Sequence, residues 1–207
     1  MSPNLYKVEL CTDDVSLALT KLNDCDQIEF CADLENDGLT PAIEDVNKLL
    51  EQSNTLIKVM IRCRPGNFEY QQAEFETMLS QAKAFLEIGV QNFVFGALSN
   101  QRIDFNIVKA FCEFVFPHKV CLHKAIDLSE NIIEDVVLAK EIPNLNEILT
   151  SGGATTAIEG AEVIKNMISV AGDDIDIIAA GKITSINLHE IHELIGASVY
   201  HGKRIVK

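Results

Sequence analysis

The 207-residue sequence has no tryptophan, only five prolines, and no uninterrupted apolar run longer than four residues. A membrane-spanning helix needs roughly 20 consecutive apolar residues, so none is encoded here. Cations are scarce: 17 Lys+Arg stand against 31 Asp+Glu, for a formal net charge of −14. Such a surface repels phosphate backbones and anionic lipid, which predicts no nucleic-acid partner and no membrane partner. A local basic cluster that binds a small anion stays compatible with that balance. The six cysteines, at 11, 25, 31, 63, 112 and 121, form no CxxC pair and no dense framework. Met1 to Tyr6 has neither the basic flank nor the apolar stretch of a secretory signal. Both features predict reduced thiols in a cytoplasmic protein, several packing as small hydrophobes. No P-loop, G-x-S-x-G or dinucleotide fingerprint is present. No Gly/Ser linker or low-complexity tract interrupts the chain, which predicts one domain over residues 1–207.

What the sequence does contain is a strict alternation of short β-like runs with helix-period stripes. Strand candidates fall at 7–11, 27–31, 57–62, 92–95, 120–123, 147–150, 175–179 and 198–201. Between them lie seven stripes, from Val15, Ala18, Leu19 and Leu22 to Leu188, Ile191 and Ile195. Asp13, Thr40 (followed by Pro41), Ser129 and Thr184 are the expected helix caps. Strict alternation implies a parallel α/β fold, and about 25 residues per unit favours a single-domain TIM (β/α)8-type barrel over an open sheet. Only six residues follow His201, too few for a full eighth helix. The outer seam of the first and last strands, with Val8, Leu10, Ser198 and Tyr200, is therefore expected to be partly uncovered. That predicts a homodimer or higher homo-oligomer burying the seam.

The strand faces carry the chemistry. Val8 and Leu10 oppose Glu9 and Cys11; Ile28 and Phe30 oppose Glu29 and Cys31. Ile57, Val59 and Ile61 oppose Lys58, Met60, Arg62 and Arg64, while Val120 and Leu122 oppose Cys121 and His123. Helices cover the outside of a barrel, so the polar sets must project inward. They gather toward the C-terminal strand ends, where barrel active sites form. Charges buried there require pairing, and Arg62 is the expected partner of the two glutamates.

Val8-Glu9-Leu10-Cys11-Thr12-Asp13, Ile28-Glu29-Phe30-Cys31-Ala32 and Gly38-Leu39-Thr40-Pro41 resemble the CutC family. Val59-Met60-Ile61-Arg62, Phe95-Gly96-Ala97-Leu98, Leu149-Thr150-Ser151-Gly152-Gly153-Ala154 and His201-Gly202 extend the match in family order. The resemblance implies a TIM barrel, a cytosolic location, self-association and a role in copper homeostasis. Departures occur at Arg62-Cys63-Arg64-Pro65, at His123-Lys124-Ala125-Ile126-Asp127, and at Ala179-Ala180-Gly181-Lys182. The last lacks the glycines that would let backbone N–H groups cradle a phosphate.

Cys11 and Cys31 are the metal candidates: two thiols on neighbouring strands suit a soft ion such as Cu(I), and equally suit two buried thiols packing beside the glutamates. Arg62 and Arg64 can clamp a carboxylate or phosphate. His201 shares their face, and the Ser151-Gly152-Gly153 turn is expected to open a helix and add N–H donors. His123 is a candidate general acid or base with Glu29 or Glu9 as partner. His189 and His192 are three apart rather than the four a zincin helix needs. The leading expectation is cytosolic Cu(I) handling at the barrel mouth. The alternative is an isomerase- or lyase-type enzyme acting on a small anionic metabolite there, and a third is a binding or scaffolding barrel.

Overall fold

A computed structural model describes residues 6–207. Eight strands of four to six residues carry the predicted alternation. They are β1 (Lys7–Thr12), β2 (Gln27–Phe30), β3 (Leu56–Met60), β4 (Asn92–Phe95), β7 (Lys119–Leu122), β8 (Leu145–Thr150), β9 (Asp176–Ala179) and β10 (Val199–Gly202). All pair in parallel, in the order β1-β2-β3-β4-β7-β8-β9-β10, and β10 returns to β1 to close the barrel. A small antiparallel hairpin, β5 (Leu98–Ser99) and β6 (Arg102–Ile103), stands outside the barrel after β4. Nothing in the alternation signals it.

The helices are α1 (Val15–Lys21), α2 (Ile43–Gln52), α3 (Gln72–Glu87), α4 (Phe105–Val115), α5 (Ile132–Ala139), α6 (Ala161–Ala171) and α7 (Leu188–Ile195). They bury their stripes against the outward strand residues Leu10, Ile28, Val59, Phe93 and Leu122. A second, smaller apolar cluster fills the barrel interior, with Cys11, Cys31, Met60, Val94, Cys121 and Leu149 among its members. Two strand faces thus supply two separate cores, as the period-2 pattern requires.

Several local expectations are corrected. Asp14, not Asp13, caps α1, accepting from Ser16 N and Leu17 N; Asp13 instead accepts from Leu34 N. Asn131, not Ser129, caps α5. Ala42 precedes α2, and Thr40 is diverted to the loop after β3, where its Oγ1 accepts from Arg62 N at 2.8 Å. Asn187, not Thr184, precedes α7.

The seam between β1 and β10 is covered in part by the chain itself. Tyr200 is 0% exposed and Leu10 1%. The Tyr200 hydroxyl accepts from Ala197 N at 2.9 Å, its ring meets Tyr6 edge-on, and Ile205 packs beside it into the same core. Seven α-helices occur among the described residues, and Ile205, beyond β10, is buried in the same core. Val8 stays half-buried and Ser198 exposed, so the seam is covered at Leu10 and Tyr200 and open at its edge.

Candidate functional site at the C-terminal mouth

The inward residues of the strands converge on a cavity of about 900 Å3 at the C-terminal strand ends. Below it, inside the barrel, lies a charged network. Lys58 Nζ sits 2.7 Å from Glu9 Oε2 and 2.5 Å from Glu147 Oε2, with Lys58 1% and Glu9 0% exposed. Gln27 Nε2 donates to Glu9 Oε2 at 2.8 Å, and His201 Nδ1 meets Glu9 Oε1 at 2.7 Å. Burial alone would raise the Glu9 carboxyl, yet Lys58 and then His201 hold it down at about 2. Lys58 is raised in spite of burial, chiefly by Glu9. The partner of the buried glutamate is therefore Lys58, not Arg62. Lys58 already stood on the inward face opposite Ile57 and Val59, and Glu147 shares the parity of inward Leu149. That parity was the signal that marked both.

Above the network, Cys11, Glu29 and His201 bring one ligand atom each within 4.8 Å of one another. Cys11 Sγ lies 3.5 Å from Glu29 Oε1, and Glu29 Oε2 has no partner among the described residues. Burial and then the Glu9 charge raise the Glu29 carboxyl. The Cys31 thiol, burial and Glu29 push Cys11 well above the usual thiol value. Burial opposes protonation of His201, but Glu29 and Glu9 raise it overall. With Nδ1 engaged by the Glu9 carboxylate, Nε2 is the ring nitrogen left for another partner. Cys31 borders Cys11 but is not one of the three: its Sγ lies 3.8 Å from Thr12 O, packed where Gly38 leaves room.

Arg62 and His123 form a second group. Arg62 donates from Nη1 to Asn36 O (2.9 Å) and Gly38 O (3.1 Å), and from Nη2 to Gly66 O (2.9 Å). Its guanidinium lies 4.7 Å from the Phe68 ring centroid, and Phe68 in turn packs 4.7 Å from the His123 ring. His123 caps a 3-10 turn, Lys124–Leu128, with Nδ1 accepting from Ala125 N at 3.1 Å. Gly96 makes room for it: a Cβ there would come 2.6 Å from His123 Cε1. Burial, helped by Arg62, drops His123 to about 3. With Nδ1 accepting from Ala125 N, the neutral ring carries its proton on Nε2, which is then a hydrogen-bond donor. Phe68, on the loop after β3, left no sequence signal.

Two sequence candidates are engaged elsewhere. Arg64 turns away from the mouth to Glu74 at the start of α3, and to Asn67 O and Glu69 O. The 150–153 turn is consumed by Asp127, which accepts from Thr150 Oγ1, Ser151 N, Ser151 Oγ and Gly153 N. Gly152 N donates to Thr150 Oγ1. Ser151 and Gly152 therefore offer no free N–H, and no helix opens there, since α6 begins at Ala161. His189 and His192 lie on α7, where His192 meets the Tyr200 hydroxyl.

The chain shows clear relatives. The model of the CutC family matches residues 6–206. The copper homeostasis protein cutC homolog of Homo sapiens is 31% identical over 203 residues, covering 96% of this chain and 73% of that protein. A CutC family protein of Mesorhizobium japonicum is 30% identical over 199 residues, covering 94% and 76%. The crystal structure of a CutC protein from Streptococcus agalactiae superposes with a TM-score of 0.90 at 26% identity, over 97% of this chain and 100% of that one. A phosphoribosylanthranilate isomerase from Thermotoga maritima, at 11% identity and TM-score 0.60 over 95% and 86% of the two chains, shares the barrel alone. A closed eight-stranded parallel barrel with Cys11, Glu29 and His201 at its mouth thus meets a family match along nearly its whole length: the chain belongs to the CutC family.

Proposed function

We propose that this protein takes a copper ion as its cargo, bound by Cys11, Glu29 and His201. The carrying observation is the convergence of those three donors within 4.8 Å, beside a copper-homeostasis name in the relatives. A thiolate and an imidazole suit copper, and three donors fall short of the closed four-ligand set of a structural zinc. Glu9 behind His201 is the arrangement that orients a ligating imidazole. The protons on Cys11 and His201 would leave as the ion enters. All six cysteines are free thiols, which favours Cu(I) and a reducing compartment such as the cytoplasm.

The test is an anaerobic Cu(I) titration against a chelator of moderate affinity. Cys11→Ser and His201→Gln should each lose the ion, whereas Cys112→Ser should keep it. Cys31→Ser should retain most of the binding; a loss equal to that of Cys11→Ser would transfer the site to the thiol pair. Parent-like binding by Cys11→Ser would remove the proposal. The second reading, catalysis on a small anionic metabolite, draws on Glu29, a raised carboxyl with a free oxygen. Lys58 gives it no nucleophile, because a reactive amine needs a lowered pKa and this one is raised.

A further inference from the structure

We propose that the mouth also binds a small oxyanion, a carboxylate or phosphate, through Arg62 Nε and His123 Nε2, at a site separate from the three metal-type donors. Arg62 is 2% exposed, and among the described residues no carboxylate pairs with it. Its Nη donors end on three neutral carbonyls, and its Nε has no partner among the described residues. A buried cation satisfied only by neutral acceptors still lacks a counter-charge, which is a large penalty to leave standing. His123, 3% exposed, repeats the pattern: Nδ1 is spent on Ala125 N, so Nε2 carries the hydrogen, and Nε2 has no partner among the described residues.

Both residues line the cavity, and both side chains pack on Phe68, so one aromatic ring joins the two. Phe68 is itself pinned, its carbonyl accepting from Leu98 N of the β5–β6 hairpin at 2.9 Å. One charged donor and one neutral donor suit one end of an oxyanion.

The surrounding field agrees. Lys124, Lys182, Lys203 and Arg204 ring the same cavity, in a chain whose carboxylates outnumber its cations 31 to 17. Three carboxylates share that lining: Glu29 is buried beside Cys11, Asp127 is spent on the 150–153 turn, and Asp37 is exposed, so the cations still outnumber them. A locally positive mouth on an acidic protein draws small anions in and turns larger polyanions away. The N–H groups of residues 151–153 are already taken, so the oxyanion belongs on the Arg62 side. A cavity of about 900 Å3 admits a metabolite-sized acid.

Isothermal titration and thermal melting of the full chain, with inorganic phosphate and with malonate as probes, test this. At least one probe should bind and raise the melting temperature. His123→Asn keeps an acceptor for Ala125 N but removes the Nε2 donor, and should weaken binding by about tenfold. Lys182→Ala combined with Arg204→Ala touches only the exposed rim. It should weaken binding about threefold in about 20 mM salt, and the difference should vanish near 500 mM. Cys11→Ser should lose copper and keep the oxyanion, so the two proposals fail separately. Absence of binding by both probes, parent-like affinity in both His123→Asn and the rim variant, or loss of oxyanion binding in Cys11→Ser would each overturn the site.

Discussion

His201 Nδ1 lies 2.7 Å from Glu9 Oε1 although 192 residues separate them in sequence. β1 and β10 become neighbours only when the barrel closes, and their register sets Glu9 directly beside His201. The last strand is thereby tied to the first by a buried charged contact, and the imidazole is aimed at Cys11 and Glu29.

Glu9→Gln leaves an acceptor for Nδ1 but removes the charge. Copper affinity should fall between about tenfold and a hundredfold, the usual effect of losing a carboxylate behind a ligating histidine. His201 should also titrate lower by NMR, because Glu9 is one of the charges that raise it. An unmoved His201 titration would show that the contact does not set its protonation.

Lys58→Met leaves Glu9 buried without its counter-charge and should destabilise the fold by about 3 kcal/mol in urea unfolding. Adding Glu9→Gln should recover part of that loss, since the two residues share one interaction. A change near zero for Lys58→Met would mean that water reaches the pair.

His123 gives a pH signature. Its folded value, about 3, lies below the ordinary 6.5, so the unfolded chain binds the extra proton first as pH falls. The stability contributed by the neutral ring is complete above about pH 6.5 and is lost progressively toward pH 3. Glu9, held at about 2, and the raised Glu29 and His201 also titrate, so a variant must isolate the His123 contribution. The parent's stability relative to His123→Asn should shrink from about pH 6.5 to pH 4.5, with a limiting slope of about 1.4 kcal/mol per pH unit. A constant difference across that window would show that His123 is not buried in its neutral form.

Much of the barrel was legible because it rests on local repetition. The parity that puts Leu10, Ile28 and Val59 outward and Glu9, Glu29 and Lys58 inward operates within five or six residues. Helix caps were less legible: Asp13 and Asp14 are adjacent and both competent, and a long-range bond to Leu34 N took Asp13 away. Thr40 was diverted in the same way by Arg62.

The site divides along the same line. Sequence alone determined which side chains face the barrel interior and that they gather at one end, because side-chain direction along a strand follows from the backbone. It could not assign partners among them. That Lys58 rather than Arg62 neutralises Glu9, that His201 rather than Cys31 joins Cys11 and Glu29, and that Asp127 consumes the donors of Ser151 and Gly152 are outcomes of closure. Each depends on the stagger between strands and on the loops after β3 and β8. Hydrogen-bond reach discriminates at tenths of an ångström, while sequence periodicity resolves only a face.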